Sequence, residues 1–358
     1  MGGSIFRAVG INTMRLPADR ALALASDILP ALHEIERSAN IPHTPAALIP
    51  AYRSKPDYGD LDFVISDHIV EALGDRFIAN QLSERLGFDI MFRRPHAADP
   101  TLSLALTFRS GESFQVDLIR TSEELKDFAL SFFSWNDTGS YIGRVARQMG
   151  LRYGQNGLML LMSDTDGSRV PVSTDHDKVL DFLGFDPAVH RAGFDNPEAI
   201  YDFISSGRYF DPAIYEMDRM TNRARQRVKN RPFYPNFIEA MRQRPARYEW
   251  PAERAAGSRA VWLERLYEAF PGTREAHAAA LEDFRRRTAA CAFFNGKRVT
   301  ALTGVSGPPL QHLMNAVRKE FDSPEAFLAW TERLDEADLK RRLSKAIKSG
   351  YLPEGYSA

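Results

Sequence analysis

The chain has 358 residues, 44% hydrophobic and 26% charged, with a formal net charge of −1. That length holds two or three domains and at least one sizeable core, and the composition is that of a globular protein rather than a disordered or fibrous one. The balanced charge excludes a globally basic nucleic-acid binder, and the single cysteine, Cys291, excludes an intramolecular disulfide and a multi-cysteine zinc site.

Cys291 lies in the apolar run Ala289-Ala290-Cys291-Ala292-Phe293-Phe294, which predicts core packing. Met1 to Leu16 lacks a basic region followed by a long apolar run, and no stretch approaches 18 apolar residues. The expectation is a soluble, cytoplasmic protein without a membrane partner.

In chain order, Ala18 to Arg37 reads as an amphipathic helix, with Leu22, Ile28, Leu29, Leu32 and Ile35 at roughly helical spacing. After a Pro-containing loop, Gly59 to Ile65 alternates like a strand, and Ser66 to Leu86 is helical. Leu102 to Phe108 and Ser113 to Ile119 form a hairpin around Arg109-Ser110-Gly111-Glu112. Helices then dominate: Glu123 to Phe133, Ile142 to Met149, Asp175 to Leu183 and Asn196 to Ser205. A small apolar hairpin, Gly157 to Ser163 with Arg169 to Pro171, turns across Asp164-Thr165-Asp166-Gly167. From Pro212 onward helices continue almost to the end, broken at prolines and at Gly304 to Pro309.

The chemistry concentrates in Tyr58-Gly59-Asp60-Leu61-Asp62. In a strand, alternate side chains share a face, so Asp60 and Asp62 point the same way, about 7 Å apart. Leu61 and Phe63 point to the other face, towards a core. Two like charges on one face repel unless a cation lies between them. Asp117 sits in Phe114-Gln115-Val116-Asp117-Leu118-Ile119, a run of strand formers where Asp is unusual. If the two strands are neighbours, three carboxylates converge into an oxygen-only site for two Mg²⁺ ions, with Mn²⁺ an alternative.

These residues resemble the DNA polymerase beta-like nucleotidyltransferase superfamily. The resemblance is carried by Arg53-Ser54-Lys55-Pro56-Asp57-Tyr58-Gly59-Asp60-Leu61-Asp62 and by the Asp117 segment, and it is closest to the family X DNA polymerase branch. Phe132-Phe133-Ser134-Trp135-Asn136-Asp137-Thr138-Gly139 is similar to the aromatic segment that packs against the incoming nucleotide's sugar in that branch. Val170-Pro171-Val172 with Asp175 to Phe182 resembles the hairpin and helix ending its thumb. The resemblance spans roughly residues 45–185.

It implies an α+β fold. A nucleotidyltransferase palm, a small mixed β-sheet with flanking helices, occupies residues 1–122. A helical thumb-like, nucleotide-binding region occupies 123–210; beyond the resemblance, the helical pattern and the basic segment described below predict an all-α C-terminal domain that binds nucleic acid over 211–358. The resemblance implies Asp60, Asp62 and Asp117 as catalytic metal ligands and Gly59, Phe133, Trp135, Asn136 and Asp137 as nucleotide contacts. One departure stands out. Gly-Ser usually precedes the Asp pair by some ten residues and cradles the triphosphate, but this chain has Ile49-Pro50 or Ala51-Tyr52 there, and Pro has no amide donor. Arg53, Ser54 and Lys55 are the substitute contacts, although they also fit a solvated loop.

The segment Arg219 to Arg247 is locally basic. It includes Arg223, Arg225, Arg227, Lys229, Arg231, Arg242, Arg244 and Arg247, with only Glu239 acidic and with Phe233, Tyr234, Phe237 and Tyr248 interleaved. Cations for phosphates and rings for unpaired bases fit a DNA or RNA strand; a solvated helix face tied to acids elsewhere fits as well. Gly304 to Pro309 reads as an interhelical turn, and Lys340, Arg341, Arg342, Lys345 and Lys348 as a solvated face. The eight histidines lack metal spacing, and His43, His176 and His277 are expected in surface or capping roles.

The expected reaction moves a nucleoside monophosphate from an NTP or dNTP to a hydroxyl, the 3′-OH of a DNA or RNA strand, and releases pyrophosphate. The alternatives are a small-molecule or protein acceptor, or a catalytically inactive nucleic-acid-binding protein with the same fold.

Overall fold

The computed structural model describes residues 5–94, 96, 99–162, 168–220, 222–229, 234–250 and 256–349, without the side chains of 219, 223, 224, 227, 229 and 256–258. The protein is mixed α+β, with a mixed central sheet and a helical C-terminal region. Two compact units divide it, Met1–Thr273 and Arg274–Ala358.

The sheet of the first unit joins β2 (Ala47–Leu48), β4 (Asp60–Ser66), β5 (Asp89–Arg93), β6 (Thr101–Thr107) and β7 (Ser113–Thr121) in the order β2-β4-β7-β6-β5. β4 and β7 run parallel; the other pairs are antiparallel. The two-residue period of a strand separates two faces. One carries Leu61, Phe63, Ile65, Leu102, Leu104, Leu106, Phe114, Val116 and Leu118, all buried in one hydrophobic cluster. α1 (Ala18–Ser38), α2 (Asp67–Leu73) and α3 (Asp75–Leu86) supply the other side of that cluster through residues such as Leu24, Ile28, Leu32, Ile69, Ile78 and Leu82. The opposite face carries Asp60, Asp62, Gln115, Asp117 and Ser103.

Several expectations shift in detail. The buried stripe of α1 runs through Ala21, Leu24, Ala25, Ile28, Ala31, Leu32 and Ile35, so Leu22 is left 44% exposed. The single helix expected over Ser66 to Leu86 is two, because Gly74, at φ 78° and ψ 152°, breaks the helical path. A short ribbon pairs β1 (Leu16–Pro17) with β3 (Asp57–Tyr58), just before β4.

A second, antiparallel sheet of order β10-β9-β8 contains β8 (Leu151–Gly154), β9 (Gly157–Leu161) and β10 (Arg169–Ser173). The expected β9–β10 hairpin is present; its turn residues Asp164 to Gly167 lie outside the described residues. Around these strands lie α4 (Lys126–Phe133), α5 (Thr138–Gln148), α6 (His176–Phe182), α7 (Pro187–Ala192) and α8 (Pro197–Ser206). α4 packs against β4. Then follow α9 (Asn222–Lys229), α10 (Tyr234–Arg242) and α11 (Ala256–Ala269). Residues 211–273 fall with the first unit rather than opening the second: Phe237 of α10 stacks on Tyr141 of α5 at 3.7 Å, and the Arg144 Nη2 donates to the Ile214 carbonyl at 2.6 Å.

The second unit comprises α12 (Thr273–Phe293), which starts at the boundary, α13 (Gly296–Thr303), α14 (Pro308–Arg318), α15 (Pro324–Glu332) and α16 (Glu336–Lys348). Its own core centres on Phe293, Phe294, Leu313, Val317, Trp330, Leu339 and Leu343. The Trp330 indole donates to Asp338 Oδ2 at 2.7 Å. Cys291, expected in a core, is exposed. Ala290, Phe293 and Phe294 form the buried i, i+3, i+4 stripe here, and Cys291 falls outside it. No helix among the described residues is long and apolar enough to cross a membrane.

Candidate metal centre

The centre is built by register. In the parallel pair, Asp60 lies opposite Gln115 and Asp62 opposite Asp117; on β6, Ser103 lies opposite Asp117. Asp60, Asp62 and Asp117 each offer an oxygen, and these oxygens all lie within 4.8 Å of one another. The carboxylates are partly enclosed. The core on the far face holds the two strands in this register, since a one-residue slip would exchange the faces and bury the carboxylates among leucines.

Electrostatics records the crowding. Burial, then the charges of Asp60 and Asp117, push the Asp62 carboxyl well above the usual carboxylate range, with Lys55 opposing. Burial pushes Asp117 up to about 6, against the Ser103 hydroxyl and the Gln115 amide, which hold it down. The Gln115 Nε2 donates to both Asp117 oxygens, at 3.0 and 2.9 Å. A concentration of negative charge that raises the cost of its own ionisation is relieved by a cation among the oxygens, and an all-oxygen donor set suits Mg²⁺ or Mn²⁺.

The segment from Ile49 to Lys55 runs beside this centre. The Ile49 amide donates to the Asp62 carbonyl at 2.9 Å. The Arg53 and Ser54 amides donate to the Phe194 and Asp195 carbonyls at 2.9 and 2.7 Å. The Arg53 guanidinium pairs with Asp195 at 2.6 Å and donates to the Ala192 carbonyl. Arg53 and Ser54 are therefore committed to the loop between α7 and α8. Lys55 differs: its ammonium lies 4.2 Å from the Tyr58 ring centroid, and the charges of Asp60 and Asp62 offset the burial that lowers its pKa. Of the three expected phosphate contacts, Lys55 is the one associated with the carboxylates. Gly59 is buried between β3 and β4.

The expected nucleotide contacts after α4 brace this segment. The Trp135 amide donates to the Pro50 carbonyl at 2.8 Å, and Asn136 Oδ1 accepts from the Tyr52 amide at 3.3 Å. Trp135 and Asn136 both have left-handed backbone, φ 65° and 62°. The Trp135 ring meets Phe194 edge-on at 5.9 Å and lies over Gly193, where an added Cβ would come within 2.3 Å of the indole. Asp137 accepts the Ser140 and Tyr141 amides on its carbonyl, opening α5. Phe133 is half-buried beside Phe132, with ring centroids 5.1 Å apart.

The basic segment is more engaged than its composition implies. Arg242 pairs with Glu216 at 2.7 Å, Arg244 with Asp202 at 2.6 Å, and Arg247 donates to the Ser205 carbonyl at 2.9 Å. Tyr234 and Phe237 are buried in the core rather than presented to bases. Arg225 is exposed on α9 and reaches Asn222. The side chains of Arg223, Arg227 and Lys229, and all of Arg231, lie outside the described residues.

No protein-family model matches the chain, and no curated protein matches it. The chemistry of the centre is read from its own residues. Gln115 and Ser103 were missed in the sequence. The Gln115-x-Asp117 spacing, which puts both on one strand face, was the signal for Gln115; Ser103 gave none before the register was known.

Proposed function

We propose that this chain is a metal-dependent nucleotidyltransferase that moves a nucleoside monophosphate from an NTP or dNTP to a hydroxyl, the 3′-OH of a DNA or RNA strand. The observation that carries the reading is the alignment of Asp62 with Asp117 on adjacent parallel strands, with Asp60 on the same face and the three oxygens within 4.8 Å. The resemblance of the motifs around them supplies the reaction class.

In this reading Asp60 and Asp62 would hold both Mg²⁺ ions, or Mn²⁺, and Asp117 the ion on the nucleophile side. When bound, the ions would lower the pKa of the attacking hydroxyl and neutralise charge on the triphosphate and the leaving pyrophosphate. The hydroxyl oxygen bonds to the α-phosphorus, the bond from that phosphorus to the bridging oxygen breaks, and pyrophosphate departs. Asp117 accepts the hydroxyl proton. Lys55 supplies positive charge to the phosphates, the part usually taken by a Gly-Ser cradle; the Arg53 and Ser54 amides hold the segment in place instead.

A small-molecule or protein acceptor is the second reading. It is favoured by the engagement of Arg242, Arg244 and Arg247 and the burial of Tyr234 and Phe237, which leave fewer groups for a strand.

The test is extension of labelled single-stranded and primed-template DNA and RNA with each NTP and dNTP in Mg²⁺ and Mn²⁺. Growth that disappears in Asp60→Asn/Asp62→Asn is the expected outcome. Metal-dependent pyrophosphate release without strand growth would move the acceptor to a small molecule or protein. Neither growth nor pyrophosphate release, with nucleic acid still bound, would leave the inactive binding protein.

A further inference from the structure

We infer that Gln115 is the positioning residue that aims the Asp117 carboxylate at the ion site; this rests on the metal-site reading above. Gln115 is 4% exposed, in the middle of β7 and on the same strand face as Asp117. A buried amide without partners costs about 1–3 kcal/mol, so its placement among strand formers calls for a partner. The Nε2 finds that partner in both Asp117 oxygens, at 3.0 and 2.9 Å. Swinging the carboxylate away from the amide would lengthen both contacts, so the amide holds the direction in which the group points. Ser103, 3% exposed and opposite Asp117 on β6, lies on the same face of the sheet as the carboxylate.

An ionised carboxylate has about four lone-pair sites. The amide engages one on each oxygen, and the others stay open towards the ion site. The amide is neutral. It orients Asp117 without cancelling its charge, so the full negative charge of the trio faces the ions. An arginine or lysine at 115 would hold the carboxylate as well but would subtract a charge from the site. Ala105, the register partner of Gln115 on β6, is small and fully buried, and leaves the amide room on that side.

The test is Mn²⁺ binding to the full chain, read from the electron paramagnetic resonance signal of the free ion. Gln115→Met keeps the side-chain length and removes the donor. It is expected to weaken Mn²⁺ binding about 10–100-fold, the range typical of groups that orient metal ligands. In nucleotidyl transfer, kcat falls with it while the nucleotide KM changes little. Gln115→Leu, which also removes the donor, is expected to give the same loss and carries the test if Gln115→Met does not fold. In an Asp117→Asn background, Gln115→Met should weaken Mn²⁺ no further, because its effect passes through that carboxylate. An undiminished effect there, or wild-type affinity in Gln115→Met, overturns the inference and leaves the metal reading standing. Absence of Mn²⁺ binding by the wild type overturns the metal reading and the inference together.

Discussion

His176 and His190 face each other across α6 and α7 with ring centroids 4.9 Å apart. The Tyr153 hydroxyl meets His176 Nε2 at 2.7 Å, while His190 is 2% exposed and its Nε2 has no hydrogen-bond partner among the described residues. Burial pushes His176 down to about 4; burial, then the charge of His176, pushes His190 down to about 3. An unfolded histidine titrates near 6.5, so below that pH the unfolded chain binds protons that the fold refuses. The stability is fully present above about pH 6.5 and is lost as pH falls towards 4 and then 3. At pH 5 the loss is about 2 kcal/mol for each histidine. Urea unfolding at about pH 7.5 and about pH 5 measures it: His190→Leu should lose about 2 kcal/mol less than wild type across that interval. Equal losses would assign the acid sensitivity to other groups. His176 was expected in a surface or capping role, and this pairing was hidden because α6 and α7 bring together residues with no common periodicity. Asp60, Asp62 and Asp117 were legible for the opposite reason. A strand's period of two places Asp60 with Asp62, and a charged residue among strand formers demands an explanation. Gln115 obeys the same period, but its neutral side chain raises no electrostatic conflict, so its spacing from Asp117 was the one signal it gave.

Among the elements, β4, β6, β7 and the β9–β10 hairpin were readable from their apolar alternation. β5 and β8 were not. β5 is an edge strand with Met91 46% exposed and Asp89 and Arg93 at its ends, so it lacks the apolar signature of a buried strand. The contacts that fix segment 49–55 were also invisible, since they join three loops distant in sequence. Trp135-Asn136 is the joint among them, and left-handed backbone at two successive non-glycine residues is costly unless the surroundings hold it. Asn tolerates this conformation better than most residues, and here its Oδ1 also takes the Tyr52 amide. Asn136→Ala loses both advantages and should destabilise the protein by about 1–2 kcal/mol. Asn136→Gly loses the acceptor but relieves the backbone, so it should cost less than the alanine variant. Because segment 49–55 ends at Lys55, both variants should also raise the nucleotide KM. Urea unfolding gives the stability order and steady-state kinetics the KM. An alanine variant no less stable than the glycine variant would remove backbone strain from this account of the joint.

At the scale of the molecule, the α+β character was legible, but a change in element type is not a change of core. Helices take over after the second sheet, yet α10 and α11 build an aromatic cluster with the first unit: Tyr209 meets Trp262 at 5.1 Å, and Tyr201 meets Phe237 at 5.5 Å. The contact boundary falls instead at Thr273, after which a separate core begins. Local charge is answered across elements too: Glu216 and Asp202, distant in sequence, pair with Arg242 and Arg244. Separate cores have a consequence for unfolding. Trp330 is 4% exposed among Phe293, Phe294, Phe321 and Phe327, and its removal leaves both a cavity and the Asp338 carboxylate without the indole donor. Trp330→Ala should destabilise the second unit by about 3–5 kcal/mol. On the proposed metal reading, Mn²⁺ would bind the first unit, where the carboxylates lie, and at a hundredfold excess over its dissociation constant should stabilise that unit by about 2.7 kcal/mol. Calorimetry of the full chain distinguishes the two. The ion should move one transition and Trp330→Ala the other, with the ion's shift preserved in the variant. If the variant lowers the ion-sensitive transition by the same amount, the two cores unfold as one cooperative unit and the thermodynamic independence of the helical region is refuted.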